Sequence, residues 1–269
     1  MGKHDQGDVA EEWFNQYLSE RSYQWQEEPA MGTARQPDRL ITTRGHIVVA
    51  EVKSFATDGL LKNAAFSDTS TEGIRVSQPM SRDSKGALAP IRKKIKEAAG
   101  QLKEFGERGW PLMIVLANPL NKPIPLNEPN VISAMYGDLT VQGTLGPDGE
   151  IAEWVWAAGR NGRLRNDHQH VSAVAILHHR HHAQDWADGW FDENRKRFGA
   201  DGTAAMLKAF QTDARHAPQG SYVWLTIFET LSETAVPLPR DIFNGPRDIR
   251  YVPDDDRTAL VPLAAPNSS

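Results

Sequence analysis

Apolar residues recur at two different spacings in the first part of the chain, and the spacing predicts which segments are helices and which are strands. Residues 7–18 carry apolar side chains every three to four positions, which is the period of one helix face. Residues 22–28 alternate aromatic and polar side chains, as a half-buried strand does. Residues 38–43 and 46–55 resemble two strands around a glycine-containing turn, which predicts a β-hairpin.

A long polar segment separates this hairpin from the next predicted helix. Residues 57–88 are rich in Ser, Thr, Asp, Gly and Lys with little periodicity, so we expect a loop. Pro90 is expected in the first turn of a helix, where proline is tolerated, and Gly106 and Gly109 are expected at its end. A continuous apolar run predicts a buried strand at 111–117, which completes the order α-β-β-β-α-β.

The remainder of the chain gives a weaker pattern, beginning with a proline-rich connection at 118–130. Prolines and charges dominate from Pro237 onward, which predicts a tail that lies on the surface or is disordered. Between these segments we expect short strands at 131–144, 153–158, 171–177 and 222–228, and a helical region at 185–210 that is broken at Gly199.

Composition narrows the class of protein. Apolar residues make up 39% and charged residues 24% of the 269 residues, as in ordinary globular proteins. The absence of cysteine excludes disulfides and thiolate metal sites, and the N-terminus lacks the apolar segment of a signal peptide. Because no apolar run approaches the ~18 residues of a membrane span, we expect a cytoplasmic protein without membrane contact. The net charge of −5 argues against coating nucleic acid through bulk positive charge, yet it leaves room for a nuclease with local basic patches.

Two carboxylates and a lysine fall on the predicted hairpin. Asp38 follows Pro37 at the start of the first strand, whereas Glu51 and Lys53 share one face of the second because they are two residues apart. Folding the hairpin brings Asp38 towards Glu51 and Lys53. Carboxylate oxygens bind hard divalent cations, and a nearby ammonium group orients water or stabilises charge on a phosphate. These groups are suited to the hydrolysis of a phosphodiester.

The element order, with Pro-Asp on one central strand and Glu-x-Lys on the next, resembles the PD-(D/E)XK nuclease superfamily over roughly residues 7–117. Restriction endonucleases and Holliday-junction resolvases share this fold. The resemblance implies an α/β fold with a restriction-endonuclease-like αβββαβ core, a mixed central sheet flanked by helices, and a C-terminal α+β extension. It further implies that Asp38 and Glu51 bind Mg²⁺, with Mn²⁺ as a substitute, that the main-chain carbonyl of Val52 also ligates, and that Lys53 is the catalytic lysine.

Two further matches extend the resemblance to the neighbouring helices. Resolvase-like members carry a glutamate on the first helix four residues after a glycine, and Glu11 has that spacing from Gly7, with the adjacent Glu12 as the alternative. Members of this type often carry a glutamine before an apolar residue on the helix after the Glu-x-Lys strand, and Gln101 before Leu102 fits. The resemblance thus adds Glu11 to the metal site and Gln101 to the active site. The alternative roles are a glutamate that complements the helix dipole and a solvated glutamine.

Basic and aromatic residues offer further candidates. A basic run near the start of the second predicted helix is a candidate for phosphate contacts, although such a run is also typical of a solvated face; it comprises Arg92, Lys93, Lys94 and Lys96. The histidines at 168, 170, 178, 179, 181 and 182 match no zinc motif, so a loop after the strand at 171–177 is favoured over a metal site. The tryptophans at 154, 156, 186 and 190 are expected in packing rather than in base stacking.

We therefore expect a nuclease core at 1–117, an extension of the sheet or an accessory region at 118–236, and a proline-rich, charged tail at 237–269. The expected activity is that of a divalent-metal-dependent endonuclease, with DNA as the favoured substrate. The sequence contains neither the phosphate-binding loop of ATPases nor a Gly-x-Ser-x-Gly elbow. One alternative is a catalytically silent module of the same fold that binds nucleic acid or protein. Another is the nuclease component of a defence or mobile-element system that a partner activates, and a homodimer also stays open.

Overall fold

A mixed eight-stranded β-sheet organises this α/β protein. The computed structural model describes residues 4–32, 35–55, 66–67, 76–77, 84–145, 151–164, 166–198 and 202–263. The helices are α1 (His4–Glu20), α2 (Ser84–Leu102), α3 (Glu128–Tyr136), α4 (His182–Phe198) and α5 (Thr203–Asp213). The strands are β1 (Gln24–Glu27), β2 (Arg39–Thr43), β3 (His46–Ser54), β4 (Phe66–Ser67), β5 (Val76–Ser77), β6 (Leu112–Ala117), β7 (Gly137–Leu145), β8 (Ile151–Asn161), β9 (Ala173–His181), β10 (Ser221–Glu229), β11 (Ile249–Pro253) and β12 (Leu260–Pro262). Within the described ranges, every helix is too short or too polar to cross a membrane.

The main sheet has the strand order β1-β2-β3-β6-β9-β10-β11-β12. β1, β2 and β3 are antiparallel neighbours, whereas β3, β6 and β9 run parallel to one another. β10 and β11 are parallel, and β12 is antiparallel to β11. The pairs β4–β5 and β7–β8 form two separate two-stranded sheets. The predicted order α-β-β-β-α-β therefore runs from α1 to β6, with the short β4–β5 pair inserted before α2.

The contacts within the chain divide it into two compact units. The first comprises residues 1–177 and 225–269, and the second comprises residues 178–224. The boundary falls inside β9 and β10, so the second unit contains the end of β9, both α4 and α5, and the start of β10.

The second unit has a small aromatic core between α4 and α5. Trp190 is buried, and its indole N–H donates to Asp213 Oδ2 at 2.8 Å. Phe210 of α5 packs against both Trp186 and Trp190 of α4. These two tryptophans therefore serve in packing, as the sequence predicts. Trp154 and Trp156 lie in β8, and their side chains fall outside the described part of the chain.

The predicted hairpin forms from β2 and β3. Thr43 pairs with His46, which leaves Arg44 and Gly45 as a two-residue turn. Both turn residues have positive φ angles, 48° and 79°, as in the type I′ turn whose twist matches that of the flanking strands. Local sequence therefore specifies this hairpin: two short strands rich in apolar residues and a glycine where a left-handed conformation is needed.

The apolar face of α2 packs on one side of β3 and β6. Val49 of β3, Ile114 of β6 and Ile95 of α2 belong to one buried cluster. Side chains alternate along a strand, so Glu51 and Lys53 point to the same side of the sheet as Val49. The central strand therefore presents both charged groups to the α2 side.

The start of α2 differs from the prediction. The helix begins at Ser84, so Pro90 lies inside it rather than in its first turn. A proline there removes one helical N–H, and packing of the apolar stripe outweighs that loss. The α-helix ends at Leu102 and continues as a 3₁₀ segment, Lys103–Arg108, which terminates at Gly109.

The expectation of a strand at 131–144 is wrong for its first part, which is helical. Asn127 caps α3, because its side chain accepts a hydrogen bond of 3.2 Å from the N–H of Asn130. Pro129 then occupies the first turn, where its fixed φ favours a helix. β7 follows α3 and pairs with β8, so the strand at 153–158 is confirmed.

The later elements follow the predictions in part. β9 extends to His181, so the expectation of a loop after residue 177 is wrong. The helical region at 185–210 is present as α4 and α5, although Gly199 itself lies outside the described residues. β10 confirms the strand at 222–228.

The expectation of a surface or disordered tail from Pro237 is wrong for residues 237–263, and residues 264–269 lie outside the described part of the chain. β11 extends the main sheet as a parallel neighbour of β10. The side chains of Leu238, Ile242 and Phe243 are buried. A proline-rich segment without a regular ladder can still be ordered when its apolar side chains and its carbonyl groups find buried partners.

Arg250 of β11 supplies those carbonyl partners. Its guanidinium donates to the carbonyls of Leu238, Pro239 and Ile242. It also forms a buried ion pair with Glu229 of β10, with 2.7 Å between Nε and Oε1. One buried cation therefore ties the segment before β11 to the sheet.

The same segment is bonded to the beginning of the chain. The Tyr17 hydroxyl donates to Asp248 Oδ2 at 2.7 Å, across 231 positions of sequence. The main-chain N–H of Phe243 donates to the Tyr23 hydroxyl at 2.8 Å. α1 is thus packed against residues from the far end of the sequence.

Candidate active site

The β2–β3 hairpin places Asp38 beside the end of β3. Asp38 directly precedes β2, and its Oδ2 atom accepts a hydrogen bond of 2.7 Å from the main-chain N–H of Val52. The paired register of the two strands ends at Arg39 and Ala50. The Asp38 carboxylate therefore accepts a hydrogen bond from a β3 N–H group that lies beyond the last paired residue of β2. This bond to the β3 backbone fixes the orientation of the carboxylate.

Lys53 lies between two carboxylates. Its Nζ atom donates to Glu51 Oε1 and lies 4.0 Å from Asp38 Oδ2. The side chain of Glu51 is 0% exposed, whereas those of Lys53 and Asp38 are 16% and 20% exposed. The hairpin thus brings the three predicted side chains together, with the charge of Glu51 deepest and the other two at the rim.

Glu51 carries one carboxylate oxygen without a hydrogen-bond partner in the described part of the chain. Its Oε2 atom is buried and finds no hydrogen bond among the residues that the structure describes. Burial, together with the charge of Asp38, raises the pKa of Glu51 from 4.5 to about 7, although Lys53 acts in the opposite direction. A buried carboxylate in this state is costly unless it is protonated or bound to a cation.

A hard divalent cation fits these groups. Asp38 and Glu51 supply carboxylate oxygens. The Val52 carbonyl points to the same edge of β3 as the Val52 N–H, which donates a hydrogen bond to Asp38. The described residues contain no group of three or more His, Cys, Asp or Glu side chains that could hold a metal ion. Mg²⁺ commonly binds through one or two carboxylates and keeps several waters, so two carboxylates and one carbonyl suffice.

Glu11 forms an ion pair with Arg39. Its Oε2 atom lies 3.1 Å from Nη2 of Arg39. Glu12, the alternative, is exposed to solvent. Neither glutamate joins Asp38 and Glu51 in a three-residue metal group within the described part of the chain.

Gln101 lines a surface cavity of about 550 Å³ together with Arg35, Gln36 and Glu97. Gln36 is two residues before Asp38, so this cavity borders the segment that leads into the site. The contacts described for Asp38, Glu51 and Lys53 do not include Gln101.

The basic run of α2 divides between core and surface. Arg92 is 2% exposed, so its guanidinium belongs to the interior and not to a solvated face. Lys93 and Lys94 lie 3.8 Å and 3.4 Å from the Glu97 carboxylate, which offsets part of their charge. Lys96 is exposed. The surface available for phosphate contacts in this run is therefore limited to the three lysines.

The histidines are engaged in packing and in main-chain contacts. In the second unit, His178 stacks on Trp224 with ring centroids 4.7 Å apart. In the first unit, His170 Nε2 lies 2.8 Å from the Ala99 carbonyl, and its ring packs edge-on against His168. Burial lowers the pKa of His168, and the nearby His170 acts in the same direction. No histidine among the described residues belongs to a metal-holding group.

Sequence reasoning missed Arg39, which bonds to the main chain of Asp38. Its side chain is 1% exposed, and its Nη1 atom donates to the Asp38 carbonyl. The sequence contained one signal for it: Arg39 is two residues before the apolar Ile41, so on a strand both side chains point inward. Such a charge requires partners, and α1 and β1 provide them.

Comparison of the chain with protein-family models, with curated proteins and with solved structures finds no match.

Proposed function

We propose that this chain is a divalent-metal-dependent nuclease of the PD-(D/E)XK type, with Mg²⁺ as its ion and DNA as its substrate. The observation that carries the proposal is the buried oxygen of Glu51 beside Asp38 and Lys53, for which the described residues provide no hydrogen-bond partner. A structural Glu51–Lys53 ion pair would leave that oxygen unsatisfied, whereas a bound cation satisfies it.

Each side chain has a distinct role in this proposal. A bound Mg²⁺ would lower the pKa of a water molecule and polarise the scissile phosphate. Glu51 and Asp38 would hold the ion, and the hydrogen bond from the Val52 N–H keeps Asp38 in place. The ammonium group of Lys53 stabilises the negative charge that develops on the phosphate oxygens. The low exposure of all three side chains strengthens these electrostatic interactions.

The decisive experiment is a cleavage assay on four substrates. Purified protein is incubated with supercoiled plasmid, linear duplex DNA, single-stranded DNA and RNA, in MgCl₂, in MnCl₂ or in EDTA. We expect cleavage of DNA in either metal and none in EDTA. Asp38→Asn, Glu51→Gln and Lys53→Met should each lower the rate by about 100-fold or more, which is typical for loss of one group that binds developing charge.

Matched surface variants control for the loss of charge. Asp192→Asn and Lys208→Met remove the same charges from exposed positions of α4 and α5, and both should cleave at the wild-type rate. Cleavage in EDTA, or wild-type cleavage by Lys53→Met, would contradict the proposal. Tight DNA binding without cleavage in any metal would instead support a catalytically silent binding module.

A further inference from the structure

Arg39 is a buried charge on the side of the sheet opposite the candidate site. It pairs with Ala50 in the β2–β3 register, and directly opposed residues share one face of a sheet. Glu51 follows Ala50 and so points to the other face. Arg39 therefore lies away from the groups that would hold an ion or meet a substrate.

The Arg39 guanidinium links three elements. Nε donates to Asn15 Oδ1 of α1 at 2.7 Å. Nη2 donates to Glu27 Oε1 of β1 at 3.0 Å and lies 3.1 Å from Glu11 Oε2 of α1. Nη1 donates to the main-chain carbonyl of Asp38. A planar guanidinium can make these contacts at once because its donors form a rigid fork.

We propose that Arg39 is a positioning residue for Asp38, and that Glu11 acts as a partner of Arg39 and not as a metal ligand. This inference rests on the proposed function, in which Asp38 holds the ion. The Asp38 carbonyl accepts hydrogen bonds from Arg39 and, at 3.2 Å, from the N–H of Glu28, while its side chain accepts one from Val52. Loss of the guanidinium contact removes one of these hydrogen bonds to the Asp38 carbonyl. The Asp38 main chain, and with it the carboxylate, is then less firmly positioned.

Hydrogen exchange in the metal-free protein tests this link directly. Arg39→Lys keeps the charge but lacks the fork. By NMR in EDTA, the Val52 amide, which bonds to Asp38, should exchange about tenfold faster, as expected for loss of one hydrogen bond. The Val49 amide, which bonds to the Pro111 carbonyl at 3.0 Å, should keep its rate. A general loosening of the sheet would accelerate both amides and would contradict a specific positioning role.

Manganese binding, followed by electron paramagnetic resonance, gives a second measurement. Arg39→Lys should weaken Mn²⁺ binding about tenfold or more, as is usual for residues that support a ligand. Glu11→Gln should weaken it by a smaller factor, and Glu20→Gln on the same helix should not. Both effects should disappear in an Asp38→Asn background, because they act through Asp38. A direct ligand role of Glu11 predicts that its effect persists there.

The outcomes separate this inference from the proposed function. If Arg39→Lys leaves Val52 exchange and Mn²⁺ affinity unchanged, the inference is overturned and the proposed function stands. If the wild-type protein binds no Mn²⁺, both are overturned. If Arg39→Lys does not fold, Asn15→Ala removes the acceptor of Nε, together with the hydrogen bond from Asn15 Nδ2 to Glu27 Oε1, and should shift both measurements in the same direction. Unchanged values in Asn15→Ala would then overturn the inference.

Discussion

Glu51 lowers the stability of the metal-free protein once its carboxyl group ionises. Its pKa of about 7 in the folded protein exceeds the ordinary value of 4.5, because the buried site disfavours the charged form. The folded state therefore binds this proton more tightly than the unfolded chain does. The resulting stabilisation is fully present below about pH 4.5 and is lost as the pH rises through about 7.

Glu51→Gln should remove this pH dependence while preserving the shape of the side chain. In EDTA, the free energy of unfolding of the variant relative to the wild type should rise by about 3 kcal/mol between about pH 4.5 and about pH 8, since each unit of pKa difference contributes about 1.4 kcal/mol. Urea denaturation at both pH values measures the difference.

An exposed glutamate provides the control for Glu51→Gln. Glu193→Gln on α4 makes the same chemical change at an exposed position and should show no comparable gain. Saturating Mg²⁺ at about pH 8 should stabilise the wild type but not Glu51→Gln, because a ligand that binds only the folded state adds to its stability. A wild-type–variant difference that stays constant with pH would contradict the destabilising ionisation of Glu51.

At the scale of single elements, the hairpin that carries the site depends on its turn. Arg44 and Gly45 both adopt positive φ angles, which set the twist and the register of β2 and β3. A shift of one residue in this register would move Glu51 and Lys53 to the opposite face of the sheet. The turn therefore determines on which side of the protein the carboxylates lie.

Substitution of glycine by alanine should have opposite effects on stability at Gly45 and at Gly100. At both Gly45 and Gly100, an added Cβ atom would meet open space within 4 Å, so backbone conformation alone distinguishes the two positions. Gly45→Ala should destabilise the protein by about 1 kcal/mol because of its φ of 79°. Gly100→Ala, inside α2, should stabilise it by about 0.5–1 kcal/mol. Chemical denaturation of both variants measures the pair, and a shared sign would contradict the turn assignment.

The sequence predicts those helices and strands that are specified by the residues within them. The hairpin follows from two short apolar segments and one turn glycine, and it brings Asp38, Glu51 and Lys53 together. The start of α2 and the ordered structure of the segment after Pro237 could not be predicted, because contacts with residues distant in sequence stabilise both. Arg39 was missed although its alternation with Ile41 indicates an inward position, because the partners that make its burial possible come from α1 and β1.

At the scale of the whole molecule, the ion pair of Arg250 and Glu229 joins the last described part of the chain to the central sheet. Both side chains are buried, with exposed fractions of 5% and 7%. Removing one member of such a pair leaves an uncompensated buried charge, which costs about 3–5 kcal/mol. The sheet thus depends on a residue in a segment whose composition is typical of a tail.

Arg250→Met should therefore lower the melting temperature strongly. We expect a decrease of about 10 °C, measured by circular dichroism, given the loss of about 3–5 kcal/mol in a protein of this size. Arg195→Met removes an arginine whose side chain is 77% exposed and should change the melting temperature little. Adding Glu229→Gln to Arg250→Met should recover part of the loss. Equal effects of the two single arginine variants would contradict the role of the buried pair.

The hydrogen bond between Tyr17 and Asp248 also has a consequence for biosynthesis. Tyr17 leaves the ribosome well before Asp248 does, because 231 positions separate them. At about 5–20 residues per second, the first helix waits on the order of ten to fifty seconds for its partner. During translation the Tyr17 hydroxyl therefore lacks this partner until Asp248 has been synthesised, and the Tyr17 ring likewise lacks Phe243, against which it stacks.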